Sequence, residues 1–489
     1  MTEFIHNIDF FTLLGTTILL LNMILATIVI FMEKRNAGST WAWLLVLYFI
    51  PILGFILYLI LGKKIPKGHL FQWEDRNKIG IEELISNQIE SFHTQRFPVH
   101  NEFIQDYKGL IYMLLANNDA ILTEDNSITI FTDGKEKFHS LFKDIEEAKE
   151  TIHLQYYIFK KDDLGNKLIG LLTDKAKQGV KVRILYDDLG SRGLRKKHFR
   201  ELIAVGGEVE AFFPSRFPLI NYRINYRNHR KLVIIDGKIG YIGGFNVGDE
   251  YLGKNKKFGY WRDTHLRIIG SSVHAIQTRF ILDWNQASHR HDIAYSPHLF
   301  PKTESKGQIG LQIVSSGPDS EWEHIKYGYI KMISYARESI FIQTPYFIPD
   351  ASLLDALRIA SLTGKDVRIM IPNKPDHPFV YWATYFYVGE MLNAGARVFI
   401  YDNGFIHAKT IIIDSKLASV GTANIDVRSF KLNFEVNAFL YDEGISSSLT
   451  ESFYKDMVVS KELTLEAYQQ RSSKIRFKES ISRLLSPIL

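Results

Sequence analysis

A chain of 489 residues exceeds one ordinary hydrophobic core, so two or more domains are expected. It has no cysteine, which excludes disulfides, cysteine-based zinc sites and thiol catalysis. Its composition, 46% hydrophobic and 23% charged, is that of a folded protein, and a net charge of +5 suits anionic lipid or nucleic acid without establishing either.

Taken in chain order, the first element is an uncharged apolar run over residues 10–32, followed by EKRNAGST and a second uncharged run over 41–61. Each is long enough to cross a bilayer core of about 30 Å at 1.5 Å per residue. A cleaved signal peptide fits badly, because Glu3 and Asp9 stand where a basic start would be and a second span follows. The expectation is a transmembrane hairpin over residues 1–64, in a multi-pass cell-membrane protein. Lys63, Lys64, Lys67, Arg76 and Lys78 follow the second run, against only Lys34 and Arg35 between the runs. The positive-inside rule therefore places the main body in the cytoplasm.

After a polar linker over 65–104, strands and helices alternate and the chain repeats itself. ETIHLQYYIF from Glu150 resembles ESIFIQTPYF from Glu338, and VKVRILY at 180–186 resembles KDVRIMI at 365–371. LIAVGGEVEAF at 202–212 resembles MLNAGARVFIY at 391–401. NHRKLVIIDGKIGYIGGFN at 228–246 then finds its partner in IHAKTIIIDSKLASVGTAN at 406–424. This divides the body into a first repeat over 105–305, with its motif at 228–250, and a second over 306–489, with its motif at 406–429. Each reads strand, helix, strand, helix, strand, so the fold class is α/β with mixed sheets covered by helices.

His229, Lys231, Asp236 and Asn246 recur as His407, Lys409, Asp414 and Asn424 at identical spacings. In an extended segment, residues two apart share a face, so each His lies beside its Lys. A buried Lys is costly without an anion, and the pair suggests an anion site beside a nucleophile. Two His, two Lys and two Asn brought together suit a tetrahedral phosphate. Lys231, Lys409, Asn246 and Asn424 would hold the non-bridging oxygens, one His would attack phosphorus, and the other would carry the proton. No carboxylate cluster for a metal is obvious, and neither a metal nor another cofactor is expected. Asp236 and Asp414 lie at odd spacing from the Lys, so they face away and read as ties for the turn that follows. Asp263 in WRDTH and Glu435 in NFEVN are candidates to orient the imidazoles.

The duplicated HxKxxxxD with its downstream GG/GT-x-N resembles the phospholipase D superfamily, over roughly residues 105–489. KRNAGSTWAWLLVLYFIPILGFILYLILGKK, with Arg35, Trp41, Pro51, Gly54, Tyr58 and Gly62, resembles the membrane module of bacterial cardiolipin synthases. The resemblance implies two tandem phospholipase D-like repeats packed together behind a membrane hairpin. With the motif taken whole, His229, Lys231, Asp236, His407, Lys409 and Asp414 are the candidate catalytic residues. The implied reaction moves a phosphatidyl group from one phosphatidylglycerol to another, giving cardiolipin and glycerol. His229 would attack and His407 would serve as acid and base, a polarity the motifs alone do not distinguish. A hydrolase of phospholipid or nucleic acid could use the same site, and a non-catalytic scaffold would be expected to have lost a His or Lys. The hairpin favours an anionic bilayer over nucleic acid as partner, and the oligomeric state is open.

Two further features carry paired readings. The insertion at 212–227, rich in Phe and Tyr with Arg216, Arg223 and Arg227, suits either an interfacial loop or a packed surface loop. The C-terminal RSSKIRFKESISRLLSPIL reads as an amphipathic helix with Phe477, Ile481, Leu484 and Leu485 on one face and Arg471, Lys474 and Lys478 elsewhere. Docking of that apolar face on the protein's own core is the main expectation, and a membrane-surface helix the second. The HRH at 289–291 reads as surface.

Overall fold

The structure is a computed structural model. It describes residues 2–32, 37–58, 70–71, 78, 80–94, 102–214, 225–288, 291–303, 307–374, 376–484 and 486. The chain forms two compact units, residues 1–66 with 215–225 and residues 67–214 with 226–489.

The first unit is helical. Thr2–Met32 is one helix, and the second apolar run is two, Ala37–Phe49 and Pro51–Leu57. The break falls where Pro51 takes a first-turn position that needs no N–H. The helices are joined by Asn22, whose amide donates to the Leu47 carbonyl at 3.1 Å, and by burial of Leu25, Leu47 and Tyr58. Gly54 permits close approach, since a Cβ there would lie 2.8 Å from the Val46 oxygen. Leucines 13, 19, 20 and 21 and Met23 are exposed. Among the described residues, whose side chains in the first helix are those of 12–28, no helix is long and apolar enough to cross a membrane. The end of the expected second span, 59–61, lies outside the described residues.

The second unit is built on one continuous sheet. Its first half has β1 (Thr123–Asp133), β2 (Thr151–Tyr156), β3 (Lys181–Asp187), β4 (Glu208–Phe212), β5 (Leu232–Ile235), β6 (Ile239–Gly243) and β7 (Trp261–Ile269). The second has β8 (Ile309–Ser316), β9 (Ser339–Gln343), β10 (Phe347–Ile348), β11 (Asp366–Pro372), β12 (Arg397–Tyr401) and β13 (Phe405–Ile406). It continues with β14 (Thr410–Ile413), β15 (Leu417–Gly421), β16 (Ile425–Asp426), β17 (Glu435–Tyr441) and β18 (Ser460–Leu463).

The strand order is β18-β12-β11-β9-β14-β15-β17-β8-β1-β7-β6-β5-β2-β3-β4, with β13 on β7 and β10 paired to β16. The two halves meet at β8 and β1, which run antiparallel. Outward from there the order is nearly palindromic. Antiparallel strands lead to a parallel trio, β2-β3-β4 in one half and β9-β11-β12 in the other. Central strands such as LVII and TIII are buried throughout, which is why they read as unbroken β-branched runs rather than alternating ones. Helices pack on the sheet and start on aspartate caps. Asp133, Asp162, Asp350 and Asp442 each accept a backbone N–H of the first turn.

Helix Lys108–Asn118 buries Leu110, Ile111 and Leu114 in the core of the second half, with Val314, Ile325 and Met332. The insertion readings concern residues mostly outside the described ones, 215–224.

The C-terminal helix Ser473–Leu484 corrects an expectation. It buries Glu479 and Ser482, each 1% exposed, while Phe477, Ile481 and Leu484 stay exposed. The reason is Arg471, whose guanidinium bonds both oxygens of Glu479 at 2.9 and 2.8 Å and so allows the polar face to turn inward.

Candidate active site

Each HxK pair lies just before its strand, because β5 starts at Leu232 and β14 at Thr410. The preceding residues leave their own half's ladder and join the other half. The His229 N–H donates to the Phe434 carbonyl at 2.9 Å, and the His407 N–H to the Arg262 carbonyl at 2.7 Å. These two crossings place the histidines at the junction of the halves.

The carboxylates are exchanged in the same way. His229 Nδ1 lies 3.1 Å from Glu435 Oε1, and His407 Nδ1 lies 2.6 Å from Asp263 Oδ2. Each half thus supplies the histidine that the other half's acid orients. Both carboxylates are fully buried, while the imidazoles keep 18% and 16% of their side-chain surface open. With Nδ1 engaged, Nε2 is the nitrogen left for chemistry.

The motif repeats, but the support behind each acid does not. At Gly244 a Cβ would lie 1.9 Å from Asp263 Oδ1, so only glycine leaves room for that carboxylate. At the corresponding position of the second copy, Thr422 donates its hydroxyl to Glu435 Oε2 at 2.6 Å. Asn433 adds contacts to Glu435 Oε1 at 3.2 Å and to His229 Nδ1 at 3.3 Å.

Lys231 and Lys409 are buried, and each bonds its own histidine's carbonyl. Lys409 Nζ also lies 2.7 Å from His407 Nδ1 and 4.0 Å from Asp263. Burial drives Lys231 down to about 7 against the pull of Glu435, with Lys409 pushing the same way. Burial likewise brings Lys409 down to about 8. Lys231 also depresses His407, so the cations of both halves act on one site. A site that makes ammonium this costly recovers the cost when an anion enters.

The histidines differ. Burial pushes His229 down to about 4, with Glu435 opposing and Lys231 and Arg428 adding to the depression. His407 is lowered by burial and Lys409, opposed by Asp263 at shorter range. For the acids, burial alone would raise both. Lys409 and His407 outweigh it at Asp263, and His229 and Lys231 outweigh it at Glu435, so both stay below the ordinary carboxylate value.

Asp236 and Asp414 are not at this junction. Asp236 accepts the N–H groups of Lys149, Glu150 and Thr151 at 2.8–2.9 Å, and Asp414 those of Arg337, Glu338 and Ser339 at 2.7–2.9 Å. Both have positive φ, 51° and 52°, and sit in the hairpin turns β5–β6 and β14–β15. From those turns they clamp the entry to β2 and β9, which fits the structural reading rather than a place in the chemistry. Asn246 accepts the Ile158 N–H at 3.0 Å and donates to the Tyr251 hydroxyl at 3.2 Å, while Asn424 donates to Asp426 at 3.2 Å. Among the described residues, each amide thus shows one donor contact with the protein.

The sequence did not signal several neighbours. The Tyr157 ring lies 4.0 Å from that of His229, and Trp261 5.2 Å from that of His407. Arg230, between His229 and Lys231, points the opposite way onto buried Asp283 at 2.7 Å. Strand alternation predicts that direction for Arg230, whereas the ring contacts depend on tertiary packing.

A duplicated α/β fold with this crossed pair of histidines defines a phospholipase D-type centre, and the comparisons narrow the class. Two stretches, 141–275 and 329–457, match the family described as cardiolipin synthase, PLD-like domain. Residues 20–63 match the phospholipase D-nuclease N-terminal family. The chain is 66% identical to the major cardiolipin synthase ClsA of Bacillus subtilis strain 168 over 470 residues, covering 96% of this chain and 98% of that one. It is 57% identical to a cardiolipin synthase of Listeria innocua over 472 residues, covering 96% and 98%. Among solved structures, phosphatidylserine synthase of Haemophilus influenzae Rd KW20 shares the fold, with a TM-score of 0.59 at 14% identity over 80% of this chain and all of that one. The chain belongs to the bacterial cardiolipin synthase family of the phospholipase D superfamily.

Proposed function

We propose that the protein is a membrane-bound cardiolipin synthase that transfers a phosphatidyl group from one phosphatidylglycerol to another. The observation that carries this is the crossed site, two histidines each oriented by the other half's acid beside two buried lysines, in a chain of this family.

Lys231 and Lys409 hold the non-bridging oxygens of the donor phosphodiester, with the amides of Asn246 and Asn424 in support. His229 is the more strongly held neutral imidazole, which suits the nucleophile. Its Nε2 bonds to phosphorus as the bond to the glycerol oxygen breaks, and His407 gives that oxygen a proton. A hydroxyl of the second phosphatidylglycerol then loses its proton to His407 and attacks phosphorus. Cardiolipin leaves and His229 is restored. His407, closer to its acid, is the better placed of the two to carry a proton. The lysines supply the positive charge that a metal would otherwise bring.

The helical hairpin, with its exposed leucines, is read as the anchor in the cell membrane, and the lysines after it support a cytoplasmic catalytic body. The test is to incubate detergent-purified protein with phosphatidylglycerol and no added metal, then analyse lipids by mass spectrometry. Cardiolipin with matching glycerol is expected. Phosphatidic acid instead would mean that water is the acceptor and the protein a hydrolase.

A further inference from the structure

Helix Ser473–Leu484 is amphipathic in the reverse sense to a docked helix. Glu479 and Ser482 form its buried stripe, against helix Pro378–Asn393. Phe477, Ile481 and Leu484, at i, i+4 and i+7, form the opposite stripe, exposed by 67%, 41% and 67%. Lys474 flanks this ridge on one side and Arg476 on the other, since successive residues turn by about 100°, while Lys478 and Arg483 lean over Trp382 and Phe386 of the supporting helix, each 4.9 Å from the ring.

We propose that this ridge is a membrane-docking surface that seats the catalytic body on an anionic phospholipid bilayer. An apolar stripe bordered on both sides by cations matches a headgroup layer, with acyl chains beneath and negative charge above. A protein partner would need acids on both flanks of an apolar groove, while an anionic leaflet offers this everywhere. The helix that carries the ridge packs on one that reaches toward the site. The supporting helix contributes Tyr381 and Thr384 to a small cavity shared with Tyr346 and Asp376, and the Asp376 charge acts on Lys409. The choice of an anionic lipid rests on the proposed substrate.

The absence of cysteine makes the test direct. Phe477→Cys, Ile481→Cys, Leu484→Cys and, as a control on another helix, Lys177→Cys are made in the full chain and labelled with an environment-sensitive fluorophore. They are then reconstituted in phosphatidylglycerol or phosphatidylcholine vesicles carrying a quencher on the acyl chains. The three ridge labels should shift to shorter wavelength and be quenched in phosphatidylglycerol, less so in phosphatidylcholine, while the control is unchanged. Ridge labels that stay water-exposed, or are shielded without acyl-chain quenching as in a contact with a second copy, overturn the proposal. A second variant, Phe477→Asp with Leu484→Asp, should weaken turnover on vesicles by about ten-fold and leave turnover in detergent micelles unchanged. The fluorescence readout needs no turnover. Ridge quenching without cardiolipin formation would reject the assigned reaction and keep the docking surface.

Discussion

At the residue scale, the proposed mechanism divides labour between groups that touch phosphorus and groups that aim them. His229→Ala and His407→Ala should each abolish cardiolipin formation in the lipid assay, and full activity in either variant would rule out a two-histidine mechanism. The orienting acids act through geometry and charge. Asp263→Asn and Glu435→Gln are expected to lower kcat by roughly 10²-fold or more, with KM little changed. Asp263→Asn should be the more damaging, because Asp263 is closer to its histidine at 2.6 Å, while His229 keeps Asn433 beside it. Gly244→Ala should resemble Asp263→Asn in kinetics, since its Cβ would occupy the place of Asp263 Oδ1. A Gly244→Ala protein of normal kcat would show that this close approach is dispensable.

At the element scale, the hairpin turns that end β5 and β14 do structural work with a motif residue. Asp236→Ala or Asp414→Ala removes a carboxylate that accepts three backbone N–H groups at the entry to a strand. Each change should cost about 2 kcal/mol of stability, seen as a lower denaturant midpoint, with kcat per folded molecule largely retained. Loss of turnover in a variant of unchanged stability would return these aspartates to the chemistry. The short crossings at 228–229 and 405–407 are the other critical elements, because each lifts a histidine out of its own half's ladder and pairs it with the other half.

At the scale of the whole molecule, buried neutral histidines set how the fold responds to acid. Burial holds His153 down to about 3 and His229 to about 4, from an ordinary 6.5, and lowers His265 as well. Between those values the unfolded chain binds protons that the folded chain refuses. Stability is therefore complete above 6.5 and declines as the pH falls toward 4. Urea unfolding of the detergent-solubilised protein at pH 7 and pH 5 should show a lower midpoint at pH 5. His153→Gln, away from the crossed site, should reduce that difference, and equal midpoints for the unaltered protein at the two pH values would contradict the account. The crossed wiring also makes the halves interdependent, since neither contains a histidine together with the acid that orients it.

Much of this was legible in the chain itself. Two copies of one motif at equal spacing, each led by matching strand and helix patterns, mark a duplicated α/β fold and name His229, Lys231, His407 and Lys409, because strand periodicity and the cost of burying an ammonium are local matters. The candidacy of Asp263 and Glu435 was legible too, but not which histidine each serves, since that depends on a pairing between halves more than a hundred residues apart. The same limit applies to the C-terminal helix. Its amphipathic period was readable, but which face turns inward was decided by the Arg471–Glu479 pair, which lets a carboxylate be buried and leaves the apolar ridge outside. Sequence periodicity determines which residues share a face, and tertiary packing decides what that face meets, because the balance of desolvation against a partner exists only once the partner is in place.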